Sequence, residues 1–495
     1  MALTEPASAA NVPPPLEDYN VFASNRPLVE ALERWAPAAL EDATAFGERV
    51  GRASVLELGT LANEHPPSLR EDGTVEFHPA WDELLRIGRA AGLTGLGWDG
   101  TPGGHVARAA LFITLSQVEA GVGCPLSMTH AAVPALRRTP ALAAKWERRL
   151  VSRSGDGAWC GMSMTERQGG SDVRANLMRA EPAGDGEAAL YGEKWFCSAP
   201  FSDAFLVLAQ APAGLTCYLV PRAQEGFRVL RLKDKLGNRS NASAEIELDG
   251  ATALTVGEEG RGVQTIIEMV AQTRIDCVLG CAALMRRAAA EAIHWCAHRS
   301  AFGKLLIEQP LMQNVLADLC VETEAATLVA MRLARACDEG ETEFLRLATP
   351  VAKFWVCKVT PWIVAEALEC IGGNGYVETD SVLPRLHRES PLNGIWEGAG
   401  NVQALDVLRA VRKQPETLDA FMAEVGAVPG LDWEHEANAR KLIERLALAL
   451  QRTLVVRYGA PAVADAFIAR GGSQAYGTLP TDVDFMAVID RHRPA

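Results

Sequence analysis

The feature that most constrains the fold is a long helical pattern in the second half of the chain. From Val263 to Arg299 apolar residues recur at about the 3.6-residue period of an α-helix, with no proline between them. Two further long helical patterns cover Pro310 to Cys337 and about Leu345 to Ile371, and a shorter one covers about Asn401 to Lys413. Because long helices gain most of their stability by packing an apolar face, this half is predicted to build its core from helices.

The first half divides into a helical part and a β-rich part. Residues 1 to about 155 carry Ala- and Leu-rich helical stretches, such as Leu28 to Leu40, that proline and glycine interrupt. Between about Trp159 and Leu254 short apolar runs alternate with turn signals, and apolar and acidic residues alternate from Ala244 to Leu248. These patterns predict four domains: an N-terminal α-domain over 1–158, a middle β-domain over 159–256, a C-terminal α-domain over 257–413, and an extra helical domain over 414–495.

Length, charge and cysteine usage narrow the class of protein. A chain of 495 residues exceeds what one hydrophobic core usually serves. The net charge of −14 repels nucleic-acid backbones, so DNA binding would need a local basic patch. The sequence has no secretory signal pattern and no apolar run of the roughly 20 residues that span a bilayer. The 11 cysteines stand at irregular spacings, which favours buried reduced thiols. We therefore predict a cytoplasmic protein that has no metal site and does not bind a membrane.

Two glycine-rich segments are suited to bringing the backbone close to a ligand. The segment GMSMTERQGGSDV, Gly161 to Val173, places Gly169 and Gly170 beside Ser171, which suits a flavin ring or a phosphate. The same residues are typical of an ordinary turn, and taken alone they favour it. The segment IGGNGY, Ile371 to Tyr376, also permits close approach to a ligand, but it equally fits the end of a helix.

Two other segments carry charged groups. In HRSAFGK, His298 to Lys304, the fork of Arg299 can clamp a pyrophosphate and Phe302 can support an adenosine, or Arg299 simply complements a helix dipole. In IWEGAGN, Ile395 to Asn401, Glu397 stands between a tryptophan and a glycine just before a helix. Burial there would raise the pKa of Glu397, as a general base for a weak carbon acid requires. The alternative is an acid stabilised by the helix dipole.

The order and spacing of the four segments resemble the acyl-CoA dehydrogenase family. TERQGGSD resembles its TExxxGSD loop, RSAFGK its RxxFGK motif, IGGNGY its glycine turn, and WEGAGN its YEGTxQ catalytic segment. Lys194-Trp195-Phe196 resembles its flavin-covering strand, and the likeness runs from about Trp81 to Lys413. Within the family the chain looks like the alkylation-response branch known as AidB, which shares MTExQGGSDV, WEGxGN, LDVLR and an extra C-terminal domain.

The resemblance implies a fold, a cofactor and an assembly. The implied fold class is α+β, mainly α, with an N-terminal helical domain, a small central β-barrel or sandwich, a C-terminal four-helix bundle and an extra helical segment. The implied cofactor is FAD, and the implied assembly is a homotetramer. The expected flavin contacts are Met164, Thr165, Ser171, Trp195, Cys197 through its backbone, Gly372, Gly373 and Asn401. Arg299, Phe302 and Gln309 are expected to meet the pyrophosphate or adenosine of a neighbouring subunit's FAD.

The resemblance also implies a reaction. Glu397 would remove the proton α to the thioester of an acyl-CoA, while a hydride leaves the β-carbon for the flavin. Thr273 stands where some relatives carry their base, and it cannot serve as one. The expected substrate contacts are Ser171, Arg274, Trp396, Gly398 and Arg409.

Departures from the family pattern surround the catalytic segment. Ala399 and Asn401 replace a Thr and a Gln, and bulky Trp396 with Arg409 would narrow the acyl tunnel. A short or branched acyl-CoA, or residual activity alone, is therefore expected. An electron-transfer flavoprotein would be the electron acceptor.

The competing hypothesis is a flavoprotein that acts mainly by binding double-stranded DNA, because members of the AidB branch do so through a basic C-terminal domain. After Gln414 this chain carries eight basic and eleven acidic residues, a balance that disfavours phosphate binding. Five of the basic residues lie on one helical stretch between Arg440 and Arg457, so a local basic face stays the alternative, although a solvated charged face is favoured.

Overall fold

The first part of the chain is helical in the structure, a computed structural model that describes residues 11–184, 186–471 and 475–494. Seven α-helices lie in this described part before the first long strand: α1 (Arg26–Trp35), α2 (Leu40–Val50), α3 (Ala53–Glu64), α4 (Pro79–Ala90), α5 (Gly104–Ser116), α6 (Gly123–Leu136) and α7 (Pro140–Leu150). A short antiparallel pair, β1 (Ser68–Leu69) with β2 (Val75–Glu76), lies between α3 and α4. Helices α5 and α6 are buried along almost their whole length, which places them inside the molecule.

A small closed β-barrel follows. Its strands are β3 (Cys160–Ser163), β4 (Arg179–Gly184), β5 (Glu187–Ser198), β6 (Ala204–Ala211), β7 (Gly214–Pro221), β8 (Phe227–Leu232) and β9 (Ser243–Val256). Hydrogen bonding runs in the order β3-β6-β4-β5-β9-β7, β7 returns to β6 and so closes the ring, and β8 extends the edge of β9.

The two faces of the barrel explain its continuous apolar strands. In β6, Phe205 and Val207 point into the barrel core, while Leu206 and Leu208 join a second core with helices α6 and α7. Because both faces of β6 are buried, the strand reads as an unbroken apolar run rather than as an alternating one.

Long helices form the third part. They are α8 (Gly262–His298), α9 (Pro310–Glu339), α10 (Thr342–Ile371), the short α11 (Leu383–Glu389) and α12 (Gly400–Lys413). A two-residue pair, β10 (Ser300–Ala301) with β11 (Lys304–Leu305), makes a hairpin between α8 and α9. Helix α8 runs for 37 residues, and helices α8, α9 and α10 pack their buried faces into one core with the N-terminal helices.

Four more helices lie in the described residues after α12: α13 (Glu416–Val425), α14 (Ala439–Tyr458), α15 (Pro461–Arg470) and α16 (Phe485–Asp490). Their apolar residues, such as Leu446 and Ile489, belong to the same core as α9 and α10. Arg491 binds Glu324 of α9 at 3.0 Å and Glu30 of α1 at 2.8 Å, so the end of the chain is fastened to the helical parts that precede it.

The fold is α+β and mainly α, with helical, barrel and helical parts in that order and an added helical tail, as the sequence predicts. Within the described ranges, no helix combines the length and the apolar character needed to cross a membrane.

Candidate active site

Glu397 stands in an irregular segment between α11 and α12, with its backbone in the left-handed region at φ 56°. A residue other than glycine adopts this region at a cost on the order of 1–3 kcal/mol, so surrounding contacts must hold it there. Gly398 follows at φ 96°, where a Cβ atom would come within 2.8 Å of the Gln403 amide. The chain therefore makes a tight turn at Glu397 and Gly398, and the Glu397 side chain projects from this turn.

The carboxyl group of Glu397 turns to α8. The hydroxyl of Thr273 donates to Glu397 Oε2 at 2.7 Å. Burial raises the pKa of Glu397, and the bond from Thr273 together with the charges of Lys353 and Arg274 offsets part of that rise. A carboxyl group with a raised pKa is a stronger base once it is ionised, which suits proton abstraction.

The backbone of the same segment is held from three sides. The carbonyl oxygen of Glu397 accepts from Arg274 Nε at 3.0 Å and from Gln403 Nε2 at 3.0 Å. The carbonyl oxygen of Gly398 accepts from Gln403 at 2.7 Å and from Lys353 Nζ at 2.9 Å. These donors occupy both carbonyls of the turn and stabilise the strained conformation of Glu397.

A network of ion pairs holds Arg274 in place. Arg274 binds Asp406 of α12 at 2.7 Å, and Arg346 of α10 binds the second oxygen of the same carboxylate at 2.8 Å. Burial acts to raise the pKa of Asp406, but the two guanidinium groups outweigh it and hold that pKa below its ordinary value. Arg274 is therefore engaged with protein groups on both of its sides.

On the barrel, a β-bulge turns two residues of β5 towards the loop after β3. The pairing of β5 with β9 shifts register between Lys194 and Cys197, which releases the backbone of Trp195 and Phe196 from that ladder. Trp195 N donates to the carbonyl of Thr165 at 2.8 Å, and the ammonium of Lys233 lies 3.3 Å from the Trp195 ring centroid.

A buried ion pair fixes this loop. Lys194 Nζ lies 2.7 Å from Glu166 Oε1 and also donates to the carbonyl of Leu208 at 2.7 Å. Glu166 accepts in addition from the backbone N–H groups of Leu177 and Met178 at 2.6 and 3.2 Å. Burial lowers the pKa of Lys194 to about 8. The pair holds Thr165 and its neighbours against the strand that carries Trp195.

A second group of predicted residues lies at the carboxyl ends of α8 and α10. Gly372 ends α10 at φ 76°, and Cβ atoms built on Gly372 and Gly373 would meet nothing within 4 Å. Gln309 donates to the carbonyl of Ala301 across the hairpin at 3.1 Å, and the side chain of Phe302 at the hairpin tip is 100% exposed. The helix-end interpretation of IGGNGY is thus confirmed, and an open backbone remains there for a ligand.

The residues present fit the flavin that the resemblance implies. Met164, Thr165 and Trp195 lie together, half-buried, at one edge of the barrel, and they combine a flat aromatic ring with backbone and hydroxyl groups. The unobstructed glycines Gly372 and Gly373 provide the kind of close backbone approach that a dinucleotide requires. The flavin-contact roles stay predictions.

The structure brings some of the predicted substrate residues together. Trp396 and Gly398 flank Glu397, and Arg274 touches the Glu397 carbonyl. The side chain of Trp396 donates to Asn393 at 2.8 Å, which fixes its ring beside the turn. Ser171 and Arg409 are exposed, on the loop after β3 and on α12. Arg274 is occupied by Glu397 and Asp406, so its position favours a supporting role, and a contact with substrate stays a prediction.

Several residues of the site were not identified from the sequence. Lys353 reads as part of an apolar helix, and Gln403 and Asp406 read as ordinary polar positions of α12. A signal was present in Lys353, because a lysine inside a buried helical pattern requires acceptors. No local pattern identifies the partners, which lie on other elements.

Comparisons with known proteins identify the family. Residues 11–157 match the adaptive response protein AidB N-terminal domain, residues 161–251 the acyl-CoA dehydrogenase middle domain, and residues 260–412 the acyl-CoA dehydrogenase C-terminal domain. The chain is 44% identical over 466 residues to AidB of Escherichia coli strain K12, a match covering 88% of this chain and 86% of that protein.

A nematode protein is similar in both sequence and structure. The chain is 33% identical over 480 residues to acyl-CoA dehydrogenase family member 11 of Caenorhabditis elegans, covering 88% of this chain and 77% of that protein. The crystal structure of C. elegans ACDH-11 in complex with C11-CoA superposes with a TM-score of 0.86 and 26% identity, covering 99% of this chain and 93% of that one.

Proposed function

Because the chain belongs to the acyl-CoA dehydrogenase family and to its AidB branch, we propose that it oxidises a short or branched acyl-CoA to the trans-2-enoyl-CoA, with Glu397 as the base and FAD as cofactor. The observation that carries the proposal is the position of Glu397, which is displayed on a strained turn and held by donors from α8, α10 and α12. The C11-CoA complex of ACDH-11 supports an acyl-CoA as the substrate class.

The protein groups divide the work of the reaction. Glu397 in its ionised form takes the proton from the α-carbon. The protonated carboxyl group of Glu397 then donates a hydrogen bond to the hydroxyl oxygen of Thr273. Arg274 and Gln403 keep the Glu397 backbone in place during this transfer, since both bind its carbonyl. FAD, when bound, supplies the acceptor for the hydride that leaves the β-carbon. Met164, Thr165 and Trp195 would hold the ring, and Gly372, Gly373 and Asn401 the remainder of the cofactor.

The subunit arrangement and electron acceptor belong to the same proposal. The fully exposed Phe302 and the exposed Tyr376 and Ile395 mark surfaces that a homo-oligomer would cover. The family resemblance adds that this oligomer is a tetramer in which one subunit completes its neighbour's flavin site. An electron-transfer flavoprotein would reoxidise the flavin. The oligomer is inferred from the family and from these exposed apolar side chains, and the electron acceptor from the family alone.

An anaerobic titration with a panel of acyl-CoA thioesters tests the proposal. Bleaching of the bound flavin by short or branched acyl-CoA, together with an enoyl-CoA product, is the expected result. Retention of FAD with no bleaching by any thioester would overturn it. Glu397→Gln supplies the matched control, because it keeps the shape of the side chain and removes the base.

Three arginines of the tail are paired with carboxylates, and one of them, Arg457, lies on the helical stretch between Arg440 and Arg457. Arg470 binds Asp318 at 3.0 Å, Arg457 binds Glu424 at 2.8 Å, and Arg491 binds Glu30 and Glu324. Arginines paired with carboxylates are poorly placed to neutralise phosphates. A DNA affinity that falls steeply with salt would favour the competing hypothesis, and a weak affinity that salt does not change would exclude it.

A further inference from the structure

Thr273 has one proton and two acceptors within reach. Its hydroxyl oxygen lies 2.7 Å from Glu397 Oε2 and 3.2 Å from the carbonyl oxygen of Val270, one turn earlier in α8. A hydroxyl donates one hydrogen bond and accepts up to two, so Thr273 cannot donate to both neighbours at once. The state of Glu397 must decide where the proton points.

Each protonation state of Glu397 has its own satisfied arrangement. When Glu397 is ionised, Thr273 donates to the carboxylate at the shorter distance. When Glu397 carries a proton, the carboxyl O–H donates to Thr273, and Thr273 turns its own proton to Val270. Thr273 is buried, so bulk water cannot readily replace either bond.

The charged and titratable groups around the carboxyl come from three elements. Arg274 of α8 and Lys353 of α10 favour its ionised form, while the thiols of Cys277 of α8 and Cys124 of α6 are near enough for Glu397 to raise their pKa values. The two cations also bind backbone carbonyls of the turn, at Glu397 and Gly398. Among the contacts of the described residues, Thr273 supplies the hydrogen bond to the carboxyl oxygen itself.

We propose that Thr273 is a positioning residue that holds the Glu397 carboxyl group in both protonation states and favours the ionised one. The inference rests on the proposed function, since it treats Glu397 as the base that changes state. Thr273, which cannot act as a base itself, therefore positions Glu397, the base that another segment of the chain supplies. A hydrogen bond to a charged acceptor is stronger than one to a neutral acceptor, which is why loss of the hydroxyl should disfavour ionisation.

An infrared pH titration of the full-length, FAD-bound protein tests this directly. The band of the protonated Glu397 carboxyl is identified by its loss in Glu397→Gln, and its midpoint is compared in Thr273→Val and Thr273→Ser. Valine has the shape of threonine without the hydroxyl, so the midpoint should rise by roughly one pH unit. Serine keeps the hydroxyl and should leave the midpoint near that of the unsubstituted protein.

An unchanged or lowered midpoint in Thr273→Val would overturn the proposal. Where the valine protein fails to fold or to retain FAD, Thr273→Ala gives the same reading with a smaller side chain. Flavin reduction by acyl-CoA is measured separately on the unsubstituted protein. A midpoint shift without flavin reduction by any thioester rejects the proposed function and retains the role of Thr273. Flavin reduction without a midpoint shift retains the proposed function and rejects the role of Thr273.

Discussion

Asp406 receives the guanidinium of Arg274 at 2.7 Å although the two residues stand 132 positions apart in the chain. The same Arg274 donates to the carbonyl of Glu397, so the carboxylate of Asp406 acts on the base through one intermediate side chain. Arg346 binds the other oxygen of Asp406 but, among the described residues, makes no hydrogen bond or ion pair with the Glu397 turn. Arg274 therefore links Asp406 to the Glu397 turn, whereas Arg346 binds Asp406 without reaching that turn.

The first prediction concerns Asp406. Asp406→Asn leaves two buried or half-buried arginines to share a neutral acceptor, so we expect a stability loss of about 3–5 kcal/mol and slower flavin reduction by acyl-CoA. Stopped-flow reduction and urea unfolding measure the two effects. Arg346→Gln is the matched control: it should leave the reduction rate much closer to that of the unsubstituted protein. Equal rates in the two variants would contradict the role given to Arg274.

The second prediction concerns the base itself. Removing a general base typically costs about 10²- to 10⁴-fold in rate, so Glu397→Gln should abolish most flavin reduction while FAD stays bound. Glu416→Gln, at an exposed position of α13, should leave the rate unchanged.

The pH dependence of that rate follows from the same residue. Proton abstraction requires ionised Glu397, and burial raises its pKa above the ordinary 4.5. The rate should therefore rise with pH through a midpoint above 4.5. A rate that is independent of pH across this region would argue that another group is the base.

The third prediction concerns the ion pair that fixes the flavin loop. Glu166→Gln leaves the buried ammonium of Lys194 without its counter-ion, which should cost about 3–5 kcal/mol unless Lys194 releases its proton. Glu166 raises the pKa of Lys194, which is about 8 with the pair intact, so in the variant Lys194 should release its proton at a lower pH and the cost should shrink as pH rises towards 8. Urea unfolding at pH 6 and pH 8 measures the change. The exposed pair of Arg228 and Glu247 provides the control, since Glu247→Gln should cost less than about 1 kcal/mol.

The fourth prediction concerns a buried carboxyl group where three parts of the chain meet. Glu389 of α11 accepts from Asn238 of the loop after β8 at 2.8 Å, and burial together with the charge of Glu119 raises its pKa to about 7 from 4.5. Between these two pH values the native state holds a proton that the unfolded state has released. Stability should therefore fall as pH rises through this window, by on the order of 3 kcal/mol.

Glu389→Gln should remove that dependence. Its amide oxygen can still accept from Asn238, while its neutral side chain does not titrate. Unfolding free energies at pH 5 and pH 8 for both proteins give the measurement. A variant whose stability falls between those values as steeply as that of the unsubstituted protein would refute the assignment to Glu389.

The sequence determined the elements and their order. The apolar period from Val263 to Arg299 appears as helix α8, and the alternation at Ala244 to Leu248 lies within strand β9, because each pattern is a local property of one element. The motifs around Thr165, Arg299, Gly372 and Glu397 likewise led to the acyl-CoA dehydrogenase family, which the comparisons establish.

Tertiary structure alone decided how the base is held. Thr273 reaches Glu397 across 124 residues, and Lys353 and Gln403 reach the same turn from two other helices. No periodicity in the chain encodes these partners, because the faces that α8, α10 and α12 present to one another are set by how whole helices pack. The left-handed backbone conformation of Glu397 also depends on tertiary structure, because its strain is tolerated only where donors from separate helices bind the carbonyl oxygens of Glu397 and Gly398.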